Sequence, residues 1–159
     1  MSQAGPRPEI ARASAALVRA VSQTGTVSPE TKELCALMVS WLNGCERCVA
    51  AHAAYAKKLG VETAKLEALF DYARSDRFDD AQRAALAAAV AITREPRALP
   101  VALRDRLGHY YDAGQIYELL SAIGVANYLT RVNNALADAA LAVSCVPVAQ
   151  TRHSENTPV

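Results

Sequence analysis

Residues 28–52 read Ser-Pro-Glu-Thr-Lys-Glu-Leu-Cys-Ala-Leu-Met-Val-Ser-Trp-Leu-Asn-Gly-Cys-Glu-Arg-Cys-Val-Ala-Ala-His, and this stretch spells out two helices with a stop between them. Ser28 followed by Pro29 is a helix start: a side-chain oxygen that can accept from a first-turn amide, then a residue whose fixed φ suits the first helical position. Leu34, Leu37, Met38, Trp41 and Leu42 recur at three- and four-residue steps, the mark of one apolar helix face. Asn43-Gly44 ends that helix. A second is expected from Cys45 to Leu59, closed by Gly60 as a left-handed C-cap.

The same reading extends in both directions. Helices fit Pro8–Gln23, Glu62–Arg74, Asp79–Arg94, Pro100–Tyr111 and Ala113–Ala142, with Pro96 and Pro100 bounding the link before the sixth. Hydrophobic residues make up 52% of the 159-residue chain and aromatic residues only 6%, so the core is expected to be built of Ala, Leu and Val. Seven Gly and long Ala runs favour helix. No stretch alternates as a strand does, and no internal repeat is present. The expected fold is all-α, a bundle of about six to seven helices. One domain spans 8–146, preceded by a flexible arm over 1–7 and followed by a disordered polar tail over 147–159.

Seventeen basic and sixteen acidic residues give a net charge of +1. That balance offers no electrostatic footprint for nucleic acid or for an anionic membrane surface. No run of apolar residues is long enough to span a bilayer, and Arg7, Glu9, Arg12 and Arg19 interrupt any secretory leader. A cytoplasmic location is expected. Four cysteines in a chain of this length do not form a secreted disulfide scaffold. A C-x-x-C pair in a reducing compartment points to catalysis or to metal binding.

The chemistry concentrates in Cys45-Glu46-Arg47-Cys48 and His52. On an ideal helix these two cysteines and the histidine fall within about 60° of arc, and the cysteine Cα atoms lie about 5 Å apart, within disulfide range. Gly44 places Cys45 at the start of the helix, where free N–H groups and the helix dipole favour an anion. Bringing a thiol from about pKa 8.5 to about 6.5 needs roughly 2.7 kcal/mol. A helix end supplies about 2 kcal/mol at most, so a second contributor is needed, and Arg47 and protonated His52 are the candidates. Glu33 borders the apolar stripe of the preceding helix and is placed to hold or exchange a proton with His52. Its alternative role is to complement the helix dipole from the first turn.

Other readings compete. A structural zinc site would need a fourth ligand for Cys45, Cys48 and His52, and only Glu33, Cys35, Cys145 or a remote histidine could supply it. Haem attachment fails because Val49, not histidine, follows Cys48. A non-enzymatic helical protein that switches assembly on oxidation or metal binding is the alternative from a different class. Cys35 reads as a small buried hydrophobe, Cys145 as a bystander or an accidental intermolecular thiol near the tail, and His109 as a partly exposed helix residue. Tyr55, on the Cys48 face, is either a pocket wall or a core tyrosine. The polar run Asn127, Thr130, Arg131 and Asn134 needs partners if buried, from a subunit interface or the pocket's far wall.

Glu33, then Cys45, Cys48 and His52, together with Trp41-Leu42-Asn43-Gly44, Val49-Ala50-Ala51 and Arg131-Val132-Asn133-Asn134-Ala135-Leu136, resembles the alkylhydroperoxidase D branch of the carboxymuconolactone decarboxylase-like family. The resemblance covers roughly residues 10–142. It implies a thiol peroxidase of all-helical fold, a trimer or hexamer, with no cofactor or metal. Carried over, Cys48 attacks an organic or hydrogen peroxide and Cys45 resolves the sulfenic acid into a disulfide. Glu33 and His52 form the proton relay, and an external thiol reductant, a lipoyl or thioredoxin-like protein, reopens the disulfide. On this reading Cys45→Ala stalls with Cys48 trapped as a sulfenic acid. One position departs: the best-known members carry a histidine where Arg47 stands, and arginine cannot shuttle a proton near neutral pH. The decarboxylase relatives act on a lactone acid without needing two cysteines.

Overall fold

The first helix, α1, covers Pro8–Gln23 and is followed by α2 (Pro29–Leu42), α3 (Glu46–Lys58), α4 (Thr63–Glu67), α5 (Asp80–Arg94), α6 (Val101–Tyr110) and α7 (Ala113–Leu136). This order comes from a computed structural model that describes residues 7–95, 97–136, 144 and 145. No strand occurs among the described residues, and the all-α expectation holds. None of their helices is long and apolar enough to cross a membrane. The expected arm over 1–7 is described only at Arg7, the N-cap of α1. The tail over 147–159 and the stretch 137–142 of the expected last helix lie outside the described residues.

Local signals place most helix ends. Ser28 Oγ accepts from Thr31 N–H at 3.1 Å, and Pro29 occupies the first turn of α2. Asp79 and Gln82 close a capping box on α5. Gly60, at φ +90°, follows α3 as a left-handed stop. One expectation fails: Glu62–Arg74 is not a single helix. α4 stops at Glu67 and continues as a 3₁₀ turn over Ala68–Asp71. Leu66, Leu69 and Tyr72 recur at three-residue steps and all reach the core. Three residues per turn stacks them on one line, whereas α winding would rotate each about 60° from the last. Burial of Leu69 therefore selects the tighter helix.

α2 is the central element. It packs on α3, α5 and α7, and every residue from Thr31 to Ser40 is buried. An amphipathic stripe was expected; enclosure on all sides is what forms. A helix so enclosed must satisfy its polar groups inside the protein, and each finds a partner. Lys32 Nζ donates to Thr24 O and to Glu118 Oε1, both at 2.7 Å. Ser40 Oγ bonds back to Ala36 O at 2.8 Å. Glu33 meets His52. Across from α2, α5 presents Ala84, Ala85, Ala88 and Ala89, none of them exposed, and these small side chains let the two helices approach closely.

Candidate active site

The corner between α2 and α3 sets the site. Gly44 lies at φ +67°, a left-handed conformation that glycine adopts without strain. Its N–H bonds Trp41 O, and Cys45 N–H bonds Ser40 O, each at 2.9 Å. These bonds fix Cys45 as the N-cap of α3 and put Cys48 in its first turn. Cys45 and Cys48 form a disulfide with Cα atoms 5.2 Å apart, close to the separation expected from the sequence. Both sulfurs are inside: Cys45 is 2% exposed and Cys48 not at all.

Folding α3 back on α2 brings His52 against Glu33. Nδ1 and Oε1 are 2.6 Å apart, and both residues are buried. Burial by itself disfavours the imidazolium. The Cys145 thiol and the Glu33 carboxylate beside the ring outweigh it and raise the His52 pKa to about 9. The ring is therefore charged at neutral pH, with Glu33 fixing its orientation through Nδ1. His52 Nε2 is buried and makes no hydrogen bond of standard geometry among the described residues. Glu33, His52, Tyr55, Leu129 and Cys145 line a cavity of about 20 Å³, room for a molecule the size of one water. Of the two roles open to Tyr55, the structure selects the pocket wall.

α7 supplies the opposite side. Asn133, 1% exposed, directs Nδ2 toward Cys48 Sγ at 3.6 Å. Arg47 is exposed, and its guanidinium donates to Asn133 O at 3.3 Å. Arg47 thus touches the backbone of the residue that contacts Cys48. The polar run of α7 is satisfied within the chain. Asn43 Nδ2 donates to Asn127 Oδ1 at 3.1 Å and to Thr130 Oγ1 at 2.8 Å, and Asn134 Nδ2 donates to Asn43 O at 2.7 Å. Arg131 reaches Thr93 O at 3.4 Å. These groups latch α7 to the corner that carries the cysteines and to α5, rather than forming the far wall of the cavity.

The sequence reading missed two members of the site. Cys145, read as a bystander, is buried in one packed group with Val18, Cys45, Cys48 and Leu129. Asn133 appears in the sequence only inside a family-like string. Neither carries a local signal, because both depend on how the chain after α6 returns over α2 and α3. Cys35 is wholly buried, and burial pushes its thiol up to about 12, the inert core cysteine expected. His109 is exposed and packs edge-on to Tyr110. Among the described residues no three His, Cys, Asp or Glu side chains are grouped to hold a metal ion.

The sequence profile of the carboxymuconolactone decarboxylase family matches residues 8–91, more than half the chain and all of Glu33, Cys45, Cys48 and His52. This chain belongs to that family. Solved structures of similar shape include the debrominase Bmp8, of which a cysteine-to-alanine variant is seen in complex with 2,3,4-tribromopyrrole. It is 27% identical at a TM-score of 0.76, with 89% of this chain and 74% of that one covered. An uncharacterised peroxidase-related protein of Silicibacter sp. TM1040 is 27% identical at a TM-score of 0.73, covering 79% and 67%. The ATU0492 protein of Agrobacterium tumefaciens, of unknown function and grouped by name with the antioxidant defence protein AhpD, shares the fold. Its TM-score is 0.77 at 23% identity, with 83% and 90% covered. The AhpD-like helical fold and membership of this family agree with the resemblance read from the sequence.

Proposed function

We propose that this member of the carboxymuconolactone decarboxylase family is a thiol-dependent hydroperoxide reductase. The observation that carries the reading is the buried Glu33–His52 pair set one helical turn from a Cys45–Cys48 disulfide. In the reduced enzyme the Cys48 thiolate is supported by its place in the first turn of α3 and by Asn133 Nδ2. It attacks the peroxide, the O–O bond breaks, and the departing oxygen takes its proton from His52 while Glu33 holds the ring. The product on the protein is Cys48 sulfenic acid. Cys45 then attacks Cys48 Sγ, the S–S bond forms and water leaves. A dithiol from an external protein, lipoyl or thioredoxin-like, supplies two electrons to reopen the disulfide. The working form is a homo-oligomer, trimer or hexamer.

The test is oxidation of the reduced protein by one equivalent of cumene hydroperoxide, quenched by alkylation and read by mass spectrometry. The Cys45 and Cys48 peptides should lose two hydrogens faster than a free thiol reacts. Cys48→Ala should lower the rate by at least about a thousandfold. Peroxide turnover that persists in Cys48→Ala would refute the assignment.

A second reading follows from the likeness to the debrominase Bmp8. There Cys48 would take a halogen from an aryl halide, the ring carbon would gain a proton, and Cys45 would expel halide as the disulfide closes. Bromide release from a brominated pyrrole without peroxide turnover would favour it.

A further inference from the structure

Two observations about the site point beyond the mechanism above. The first is His52 Nε2, a buried ring nitrogen with no hydrogen bond of standard geometry among the described residues, in a residue only 3% exposed. Its other nitrogen is committed to Glu33, so only Nε2 is free to act on a thiol. The second is Cys145, whose thiol stands against that ring and lines the same cavity. An imidazole beside a thiol is the arrangement that makes a cysteine nucleophilic. Cys48 and His52 are neighbours one turn apart on α3, so a thiol at His52 also lies next to the disulfide, as the packing of Cys145 with Cys45 and Cys48 bears out.

Accessibility supplies the reason for a third thiol. Thiol–disulfide exchange requires the attacking thiolate to reach a sulfur. Cys48 has no exposed surface and Cys45 almost none, whereas Cys145 is 8% exposed and follows the exposed Ser144. Of the three cysteines in this group Cys145 is the least buried.

Resting on the reading of Cys45 and Cys48 as a redox pair, we infer that Cys145 is a third redox thiol, paired with His52, that exchanges with the buried disulfide and carries it to the rim of the site. The Cys145 thiolate attacks Cys48 Sγ. The Cys48–Cys145 bond forms as the Cys45–Cys48 bond breaks, and the electron pair leaves on Cys45, which takes up the proton that Cys145 gave up. One disulfide replaces another, with no oxidant or reductant consumed. The external dithiol then attacks Cys145, supplies two electrons and ends as a disulfide itself. In Cys45→Ala the same thiol resolves the Cys48 sulfenic acid: the Cys48–Cys145 bond forms and water leaves. A trapped sulfenic acid then requires loss of both Cys45 and Cys145.

Trypsin separates the participants. Cleavage after Lys32, Arg47, Lys57, Arg131 and Arg152 puts Cys35 and Cys45 on 33–47, Cys48 on 48–57 and Cys145 on 132–152. A 48–57/132–152 link therefore has one meaning. The full chain is reduced, oxidised with one equivalent of diamide, alkylated and mapped, alongside Cys45→Ala and Cys45→Ser. The link is expected as a minor species in the wild type and as the main disulfide in both variants, within single chains on a non-reducing gel. His52→Gln should slow its formation at least about tenfold. Cys145 alkylated throughout in the wild type and both variants would overturn the inference, as would a link found only between chains. Diamide needs no peroxide chemistry, so the two readings fail separately. Peroxide turnover without the link removes the third thiol alone, and the link without peroxide turnover removes the peroxidase reading alone.

Discussion

His52 keeps its proton because two neighbours oppose the effect of burial, and this has a consequence for the stability of the disulfide form. The folded-state pKa, about 9, lies above the 6.5 of an unperturbed histidine. Between these values the folded chain holds a proton that the unfolded chain has released. The His52 contribution is thus complete below about pH 6.5 and is lost as pH rises through about 9, with a slope approaching about 1.4 kcal/mol per pH unit in that window. Glu33→Gln removes the carboxylate 2.6 Å from Nδ1, so the His52 pKa should fall and the slope should flatten. Urea midpoints for wild type and Glu33→Gln across that window measure this. Parallel slopes in the two proteins would show that the Glu33 contact is not what holds the proton.

At the scale of elements, α7 is fastened to the α2–α3 corner through Asn43. Its side-chain amide donates to both Asn127 and Thr130 on α7, and its carbonyl accepts from Asn134. Asn43→Ala deletes the two donors to half-buried Asn127 and buried Thr130, which should lower stability by about 1–3 kcal/mol in urea unfolding. Asn134→Ala removes one bond from an exposed side chain and should cost less than about 1 kcal/mol. Equal effects from the two would mean that the corner is not latched through Asn43. The same elements show which features the sequence carries openly. The ends of α2, α3 and α5 were legible because Ser28, Gly60 and Asp79 act within one turn of where they stand. Glu33 and His52 could be paired from the sequence because a single tight corner joins their helices. α4 was misread because burial of Leu69 and Tyr72, a tertiary effect, chose the winding. Lys32–Glu118, Asn133 and Cys145 were out of reach for a related reason: each contact spans more than eighty residues and exists only once α7 lies across α2 and α3.

At the scale of the molecule, the apolar interior of the described residues falls into two groups. The larger is built around α2 and α5, with Leu34, Val39, Phe78, Leu86, Leu119 and Ile123 inside it. The smaller holds Val18 and Leu129 with the three cysteines of the site. The Cys45–Cys48 disulfide therefore sits beside the main core rather than in it, and opening it is expected to leave the packing of α2 in place. The bond itself closes a loop of only four residues, from Cys45 to Cys48. Chain entropy assigns so short a loop about 2 kcal/mol, which for a chain of this size is about 4–8 °C in Tm. The reduced protein should keep its far-UV helical spectrum and a single cooperative transition, with Tm lower by that amount, as calorimetry with and without a reductant would measure. An enzyme that cycles between dithiol and disulfide needs both forms folded. A reduced chain that melts without a cooperative transition would mean the bond is structural, and redox cycling at Cys45 and Cys48 would then have no folded dithiol state from which to start.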